Sequence, residues 1–307
     1  MISEEKLTTR WSAPSMTEMQ RIKSTKDQME AFLKKYLNIE EIKKNYSLSN
    51  FDYDVYLQWS YANSTNISFN SDVDIVIELK SEYYYFTDNL TASDKETFNK
   101  SLLWGGFSYS FWKFKDDIYD LFRKFYDWVE YKSKCIKVPW NTNRVDADLV
   151  PCFTFKNFLS YPPYWLPRIH QWIKFWNTKT NVWIINYPKI HKENCTVKNQ
   201  NTNENYKACV RIFKNFNAAL IDSWLVDEKL ASSYFIENLI YNIPDTCFTW
   251  NYSNCVSNIF LYLLRDMKDW SSFLCANRID RLFSDKTRKI TDAEIYLSKS
   301  LDLFTQE

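Results

Sequence analysis

Apolar residues recur at helical spacing near the start of the chain. Met19, Ile22, Met29, Leu33 and Tyr36 predict a helix of roughly twenty residues that begins near Ser15, where Ser15 and Glu18 form a capping box. Its other face carries Arg21, Lys23, Lys26, Lys34 and Lys35. An extended run comes next over 52–58, then a polar turn over 59–70. From Ser71 to Leu79 the period changes to two. Val73, Ile75 and Ile77 take one face of a strand and Asp72, Asp74 and Val76 the other, so two carboxylates point the same way. A further strand is predicted over Val138–Phe155, where Asp146 and Asp148 share a face opposite Val145, Ala147 and Leu149. The Asn89–Ser101 stretch reads as loop-like at its start and Phe111–Tyr131 as an amphipathic helix. The aromatic stripe of Phe107, Phe111, Trp112, Phe114, Tyr119 and Phe122 reads as core. The proline-rich Tyr161–Pro167 marks an expected change of architecture. Beyond it Tyr206–Leu220, Ser232–Tyr241, Val256–Met267 and Asp292–Leu303 all read as helices.

Composition removes several functions. Of 307 residues, 45% are hydrophobic and 25% charged, which suits a globular protein with one large core or two smaller ones. Gly105 and Gly106 are the only glycines, so neither a phosphate loop of the Walker type nor a G-x-G-x-x-G dinucleotide fingerprint can be written. The seven cysteines never form C-x-x-C, which predicts free thiols in a reducing compartment. Met1–Arg10 lacks an apolar stretch and the greasiest run, Ile259–Leu264, stops at Arg265, so the expectation is a cytoplasmic chain with no membrane span. His191, Cys195 and Cys209 have the elements of a zinc site but no finger spacing, and with only His170 and His191 no Ser/His triad can be placed near Ser60. Net charge is +1, yet nine Lys/Arg face two Glu over 160–214 and six face two acids over 121–144. An anion, phosphate above all, is the economical partner of such local excess.

Clustered carboxylates on a strand suit two-metal nucleotidyl transfer, which needs oxygen ligands for two Mg²⁺ ions about 3.5–4 Å apart. Asp72 and Asp74 supply two, and Asp148 a third if its strand lies beside the first. The surroundings carry a resemblance. Leu57-Gln58-Trp59-Ser60-Tyr61-Ala62-Asn63-Ser64-Thr65 followed by Ser71-Asp72-Val73-Asp74-Ile75 is similar to the G-S-(Y)-A-x-x-T … S-D-x-D signature of polymerase-β-like nucleotidyltransferases, and Asp148-Leu149-Val150-Pro151-Cys152-Phe153 resembles their third-carboxylate strand. Asn186-Tyr187-Pro188-Lys189, Tyr206-Lys207, Val210-Arg211-Ile212-x-Lys214-Asn215 and Ser232-Ser233-Tyr234-Phe235-Ile236-Glu237-x-Leu239 resemble the bacterial cGAS/DncV-like nucleotidyltransferases, CD-NTases.

That resemblance implies an α/β (α+β) fold: a catalytic core over 1–160 with a short mixed sheet, and a mainly helical lobe over 161–307 that completes a nucleotide cleft. It implies that Asp72, Asp74 and Asp148 hold Mg²⁺, with Mn²⁺ as a substitute, and that Ser60 bonds a triphosphate oxygen. Lys207, Arg211 and Lys214 would contact phosphates, Ser233 would assist the triphosphate, and Tyr234 would stack on a base. Asp146 is the alternative third ligand; the proline spacing favours Asp148. The implied activity is synthesis of a cyclic di- or trinucleotide from ATP, GTP or pyrimidine NTPs, which signals to an effector in CBASS-type anti-phage defence. An activating RNA is a further implied partner, for which the basic face of the first helix and Arg278, Arg281, Lys286, Arg288 and Lys289 are the candidates. One position departs from the signature: Trp59 stands where the family has Gly. Trp59 keeps open the alternative of an impaired nucleotide- or RNA-binding protein, and transfer to another acceptor is a second alternative.

Overall fold

The computed structural model describes residues 2–11, 16–67, 72–102, 109–139, 141, 144–267, 269–283 and 289–306. The chain divides into two compact units, one made of Gln20–Gln58 and Asn70–Pro188, the other of Met1–Met19, Trp59–Phe69 and Lys189–Glu307.

The first unit holds a mixed sheet of seven strands: β1 (Tyr53–Leu57), β2 (Val73–Phe86), β3 (Glu130–Tyr131), β4 (Ile136–Val138), β5 (Ala147–Ser160), β6 (Arg168–Asn177) and β7 (Val182–Asn186). Their order is β1-β2-β5-β4-β3, with β6 pairing β5 farther along its length and β7 outside β6. Only β2 and β5 run parallel; every other pair is antiparallel. Val73, Ile75, Val76, Ile77 and Leu79 are all fully buried, so apolar material covers both faces of β2 there, as a strand at the centre of a sheet requires. The helix Phe111–Arg123, capped by Ser110 Oγ accepting from Lys113 N at 3.3 Å, supplies part of that cover. Its Phe111 and Phe114 rings meet Phe153 of β5 at centroid distances of 6.2 and 6.0 Å, the edge and tilted contacts that aromatic rings favour.

The second unit is built on the helix Asn205–Asp222, whose Tyr206, Cys209, Val210, Phe213 and Phe216 are completely buried. Phe213, Phe216, Phe260 and Phe304 form a ring cluster, and Tyr296 Oη donates to Phe213 O at 2.7 Å. Glu4 closes the far end of the same unit. Its two carboxylate oxygens accept from Tyr252 N and Ser253 N at 2.9 and 2.7 Å, which satisfies orphan donors at the start of the helix Tyr252–Leu261 and places a negative charge at its positive end.

Several expectations change. The sheet does not stop at 160: Tyr161–Pro167 is the connection between β5 and β6, and the sheet continues to Asn186. Prolines read as a break in architecture mark only a turn, because a residue without N–H is tolerated there as well as between domains. Two early stretches, Met1–Met19 and Trp59–Phe69, belong to the helical unit rather than to the sheet. The predicted helix 111–131 ends at Arg123, and Trp128, with φ of 59°, turns the chain into β3. The expected strand 138–155 is two strands, β4 and β5. The polar turn after β1 contains one helical turn, Trp59–Asn63. Ser15, Ser71, Gly105, Gly106, Phe107, Lys286 and Arg288 lie outside the described residues, as do the side chains of Glu18 and Trp59. With so little glycine, eight described residues of other types take left-handed φ, Ser64 at 56° among them.

Candidate active site

The parallel ladder places Asp74 of β2 directly opposite Asp148 of β5. Cross-strand partners project to the same face, so the two carboxylates are neighbours by register alone. Asp72, two residues before Asp74, is on that face too. β1 ends beside them, with Gln58 N donating to Asp74 O at 3.1 Å.

These three acids are unevenly neutralised. Lys137, which faces Asp148 across the β4–β5 ladder, donates to both Asp72 oxygens at 3.1 and 2.9 Å and reaches Asp146 Oδ2 at 3.1 Å. Its hydrogen bond to Asp72 raises the Lys137 pKa. Among the described residues no ion pair reaches Asp74. Burial first, then the negative charges of Asp148 and Asp72, push its carboxyl up to about 7. Asp148 is raised as well, by burial and with Asp72 adding, against the pull of Lys132, whose Nζ stands 3.9 Å from Asp148 Oδ1. That oxygen is buried without a hydrogen bond. Asp74, raised by burial and by the charges of Asp148 and Asp72, and Asp148, raised by burial and Asp72 and carrying an orphaned oxygen, offer the kind of oxygen donors that a hard divalent cation takes. Asp146 shares Lys137 with Asp72 and lies two residues before Asp148, one position outside the first β2–β5 ladder pair, Val73–Ala147.

The residues expected to hold the nucleotide belong to the helical unit. Ser60 is half-buried on the helix Trp59–Asn63 and its carbonyl accepts from Thr65 N at 2.8 Å. Arg211 donates to Ser64 O, and burial lowers its pKa to about 10, so it keeps its charge at neutral pH. Lys207, one turn earlier, is half-buried and likewise lowered by burial. Ser233 is exposed in the first turn of the helix Ser233–Tyr241. Tyr234 stacks on His191 with 5.6 Å between ring centroids, and burial raises its hydroxyl pKa.

Lys214 is different. It is 2% exposed, and its ammonium donates to Thr65 O at 3.0 Å, Thr65 Oγ1 at 3.2 Å and Glu237 Oε2 at 3.1 Å. An ammonium has three protons, and three acceptors already take them. The expected phosphate contact by Lys214 is therefore not offered in this geometry; it grips Thr65. Glu237, to which motif reading assigned no role, is the other half of that arrangement. Its signal in the sequence is one acid inside the apolar run Phe235-Ile236-Glu237-Asn238-Leu239. His191, Cys195 and Glu237 do gather, with ligand atoms within 4.8 Å of one another. The Lys214 ammonium on the same carboxylate opposes a second cation there, and Cys209 lies elsewhere, against Cys255.

On the first helix, Lys26 and Lys34 are both paired with Glu30, which neutralises part of its basic face. Among the described residues no helix is long and apolar enough to cross a membrane.

Residues 193–304 match the cGAS/DncV-like nucleotidyltransferase C-terminal helical domain. The cyclic dipurine nucleotide synthase of Elizabethkingia meningoseptica is 37% identical over 249 residues, covering 80% of this chain and 82% of that protein. The chain is a bacterial cGAS/DncV-like nucleotidyltransferase. Another CD-NTase, the cyclic nucleotide synthase CdnE01 of Staphylococcus haemolyticus, is 35% identical over 277 residues, 89% of this chain and 88% of its own. Among solved CD-NTase structures, the Rhodothermus marinus CdnE c-UMP-AMP synthase with Apcpp and Upnpp superimposes with a TM-score of 0.82 at 32% identity, covering 100% of this chain and 97% of that one. The mixed α+β fold with a helical C-terminal part is thus that of the CD-NTases.

Proposed function

We propose that this CD-NTase joins two NTPs into a cyclic dinucleotide, using two Mg²⁺ ions held by Asp72, Asp74 and Asp148. The observation that carries the reading is the Asp74–Asp148 register pair, two neighbouring acids whose charge Lys132 offsets only in part. In each of two steps a ribose hydroxyl attacks the α-phosphate of an NTP; the new O–P bond forms as the bond to pyrophosphate breaks, and the hydroxyl proton is released. Bound Mg²⁺ supplies the positive charge that lowers the hydroxyl pKa and stabilises the leaving pyrophosphate. The chain's own residues bind and orient. Asp74 and Asp148 present oxygens from rigid central strands, which fixes their spacing without side-chain freedom. Lys137 holds Asp72 in place and keeps the metal-free cluster from carrying its full negative charge. Ser60, Lys207, Arg211 and Ser233 take the triphosphate, and Tyr234 a base. By the same proposal the product signals to a cyclic-nucleotide-responsive effector in anti-phage defence, and RNA binding to basic surface residues raises the rate.

The test incubates the chain with each α-labelled NTP and Mg²⁺ or Mn²⁺, followed by phosphatase and chromatography, beside Asp74→Asn and Trp59→Gly. A phosphatase-resistant product absent from Asp74→Asn is expected, and its labelling names the bases. A linear or acceptor-linked product refutes ring closure. Product from Trp59→Gly alone shows that the indole blocks the triphosphate.

A further inference from the structure

The turn that carries Ser60 is too small to hold itself. The helix Trp59–Asn63 has five residues, and one helical turn is far below the length that persists without outside support. It is followed by Ser64 in a left-handed conformation, which a residue with a Cβ adopts only when its surroundings impose it. Glu237, 172 residues beyond Thr65, supplies what imposes it.

Glu237 is 3% exposed and its carboxylate accepts five hydrogen bonds, one of them the long contact from Cys195 Sγ to Oε1 at 3.9 Å. Oε1 takes Asn63 Nδ2 at 2.6 Å and His191 Nε2 at 2.8 Å. Oε2 takes Thr65 Oγ1 at 2.6 Å and Lys214 Nζ at 3.1 Å. Two of these donors, Asn63 and Thr65, come from the turn itself, and Lys214 reaches the same turn again through Thr65 O. A buried ion pair adds little to stability over an apolar replacement, and its best-attested use is to fix one geometry among several. Here the geometry fixed is that of residues 60–65.

We infer that Glu237, with Lys214 as its counter-ion, is the positioning residue of the Ser60 turn, and that Lys214 serves nucleotide binding through Thr65 rather than by touching phosphate. The inference rests on the proposed role of Ser60 toward the triphosphate. Neither Glu237 nor Lys214 reacts; each acts by holding Asn63 and Thr65, and through them the backbone between. Loss of the Thr65 hydroxyl removes the tie to Oε2 and one of the three Lys214 bonds, and leaves the Lys214–Glu237 ion pair itself in place.

The test uses the full chain and the variants Thr65→Val, Thr65→Ser, Asn63→Ala and Glu237→Gln. It reads steady-state KM and kcat for NTP, affinity for a non-hydrolysable NTP analogue with Mg²⁺, the thermal midpoint, and hydrogen exchange at the Thr65 amide, which donates to Ser60 O. Thr65→Val and Asn63→Ala are expected to weaken analogue binding and raise KM about tenfold each, the size of one or two lost hydrogen bonds, with kcat less changed. Thr65→Ser restores native KM because it keeps the hydroxyl. Glu237→Gln speeds Thr65 exchange about tenfold or more while amides of Val210 and Phe213 in the same unit keep their protection. Folded Thr65→Val and Asn63→Ala with native analogue affinity and native Thr65 exchange overturn the inference even if the wild type makes cyclic product. Conversely, a wild type that binds the analogue but yields no cyclic product refutes the proposed reaction, while loosened binding in these variants still upholds the positioning role. A wild type that does not bind the analogue overturns both.

Discussion

Two groups of acids in this CD-NTase sit in opposite electrostatic conditions. On the sheet, Asp74 and Asp148 are neighbours without enough positive charge, and both carboxyls are raised. In the helical unit, burial alone would push Glu237 up, but Lys214, His191 and Thr65 outweigh it and hold the carboxyl well below the usual range. One cluster keeps negative charge that Lys132 and Lys137 offset only in part; the other is complete in itself. Burial is common to both and therefore does not mark function. The mark is the imbalance between buried charge and its partners.

Removing charge at the two places should have opposite effects on the metal-free protein, and this contrast is the strongest test. Asp148→Asn should abolish product formation, at least about a thousandfold in kcat, because an oxygen ligand at the reacting phosphate is lost. The same change should raise metal-free stability by about 1 kcal/mol in denaturant titration, since a like charge is relieved. A destabilised Asp148→Asn would break the comparison. Lys214→Met leaves Glu237 buried and unpaired and should lower stability by about 3–5 kcal/mol, with much of the loss recovered in Lys214→Met with Glu237→Leu. Failure of that second change to recover stability would show that the hydrogen bonds to Asn63 and Thr65, not the charge pair, dominate.

The pH responses should diverge as well. A carboxyl raised in the folded state contributes stability that is present below its unfolded pKa and lost as pH rises, so the Asp74 contribution in metal-free protein fades as pH climbs to about 7. Mg²⁺ binds the ionised form, so the rise in thermal midpoint that it produces should be larger at about pH 8 than at about pH 5.5. Glu237 has the other sign: its depressed pKa contributes stability above the ordinary carboxylate range that is lost on acidification. The smallest effect should come from Lys137→Met, which removes the ammonium from Asp72 and Asp146 and should tighten Mg²⁺ by a few-fold, about 0.5–1 kcal/mol on the scale of part-exposed pairs. Unchanged Mg²⁺ affinity would show that Asp72 is not a ligand.

Much of this is legible in the sequence. Period-two alternation predicts where Asp72, Asp74 and Asp148 point, because a strand's faces are set by its sequence alone, and the ordered motifs lead to the family. The pairing of β2 with β5 enters only as a condition, since nothing local says which strands become neighbours. That Lys214 turns to Glu237 and Thr65 is not legible in its motif, for a physical reason. Helical spacing shows which residues share a face, but not whether that face looks to solvent or to a buried acid, and Glu237 lies 23 positions downstream. The turn over 161–167 misleads because prolines signal a change of direction and carry no information on whether the next element is strand or helix. Membership of Trp59–Phe69 in the helical unit leaves no local trace at all.

That membership also sets an order in time. Asn63 leaves the ribosome 174 residues ahead of Glu237, an interval of roughly 10–35 s at ordinary bacterial elongation rates. Throughout it the Ser60 turn has no acceptor to close on, whereas all seven strands of the sheet, ending at Asn186, have already been synthesised before Glu237 emerges. The nascent chain can thus assemble its carboxylate strands well before it can fasten the turn, and the capacity to grip a nucleotide arrives late, when the last helices are being made.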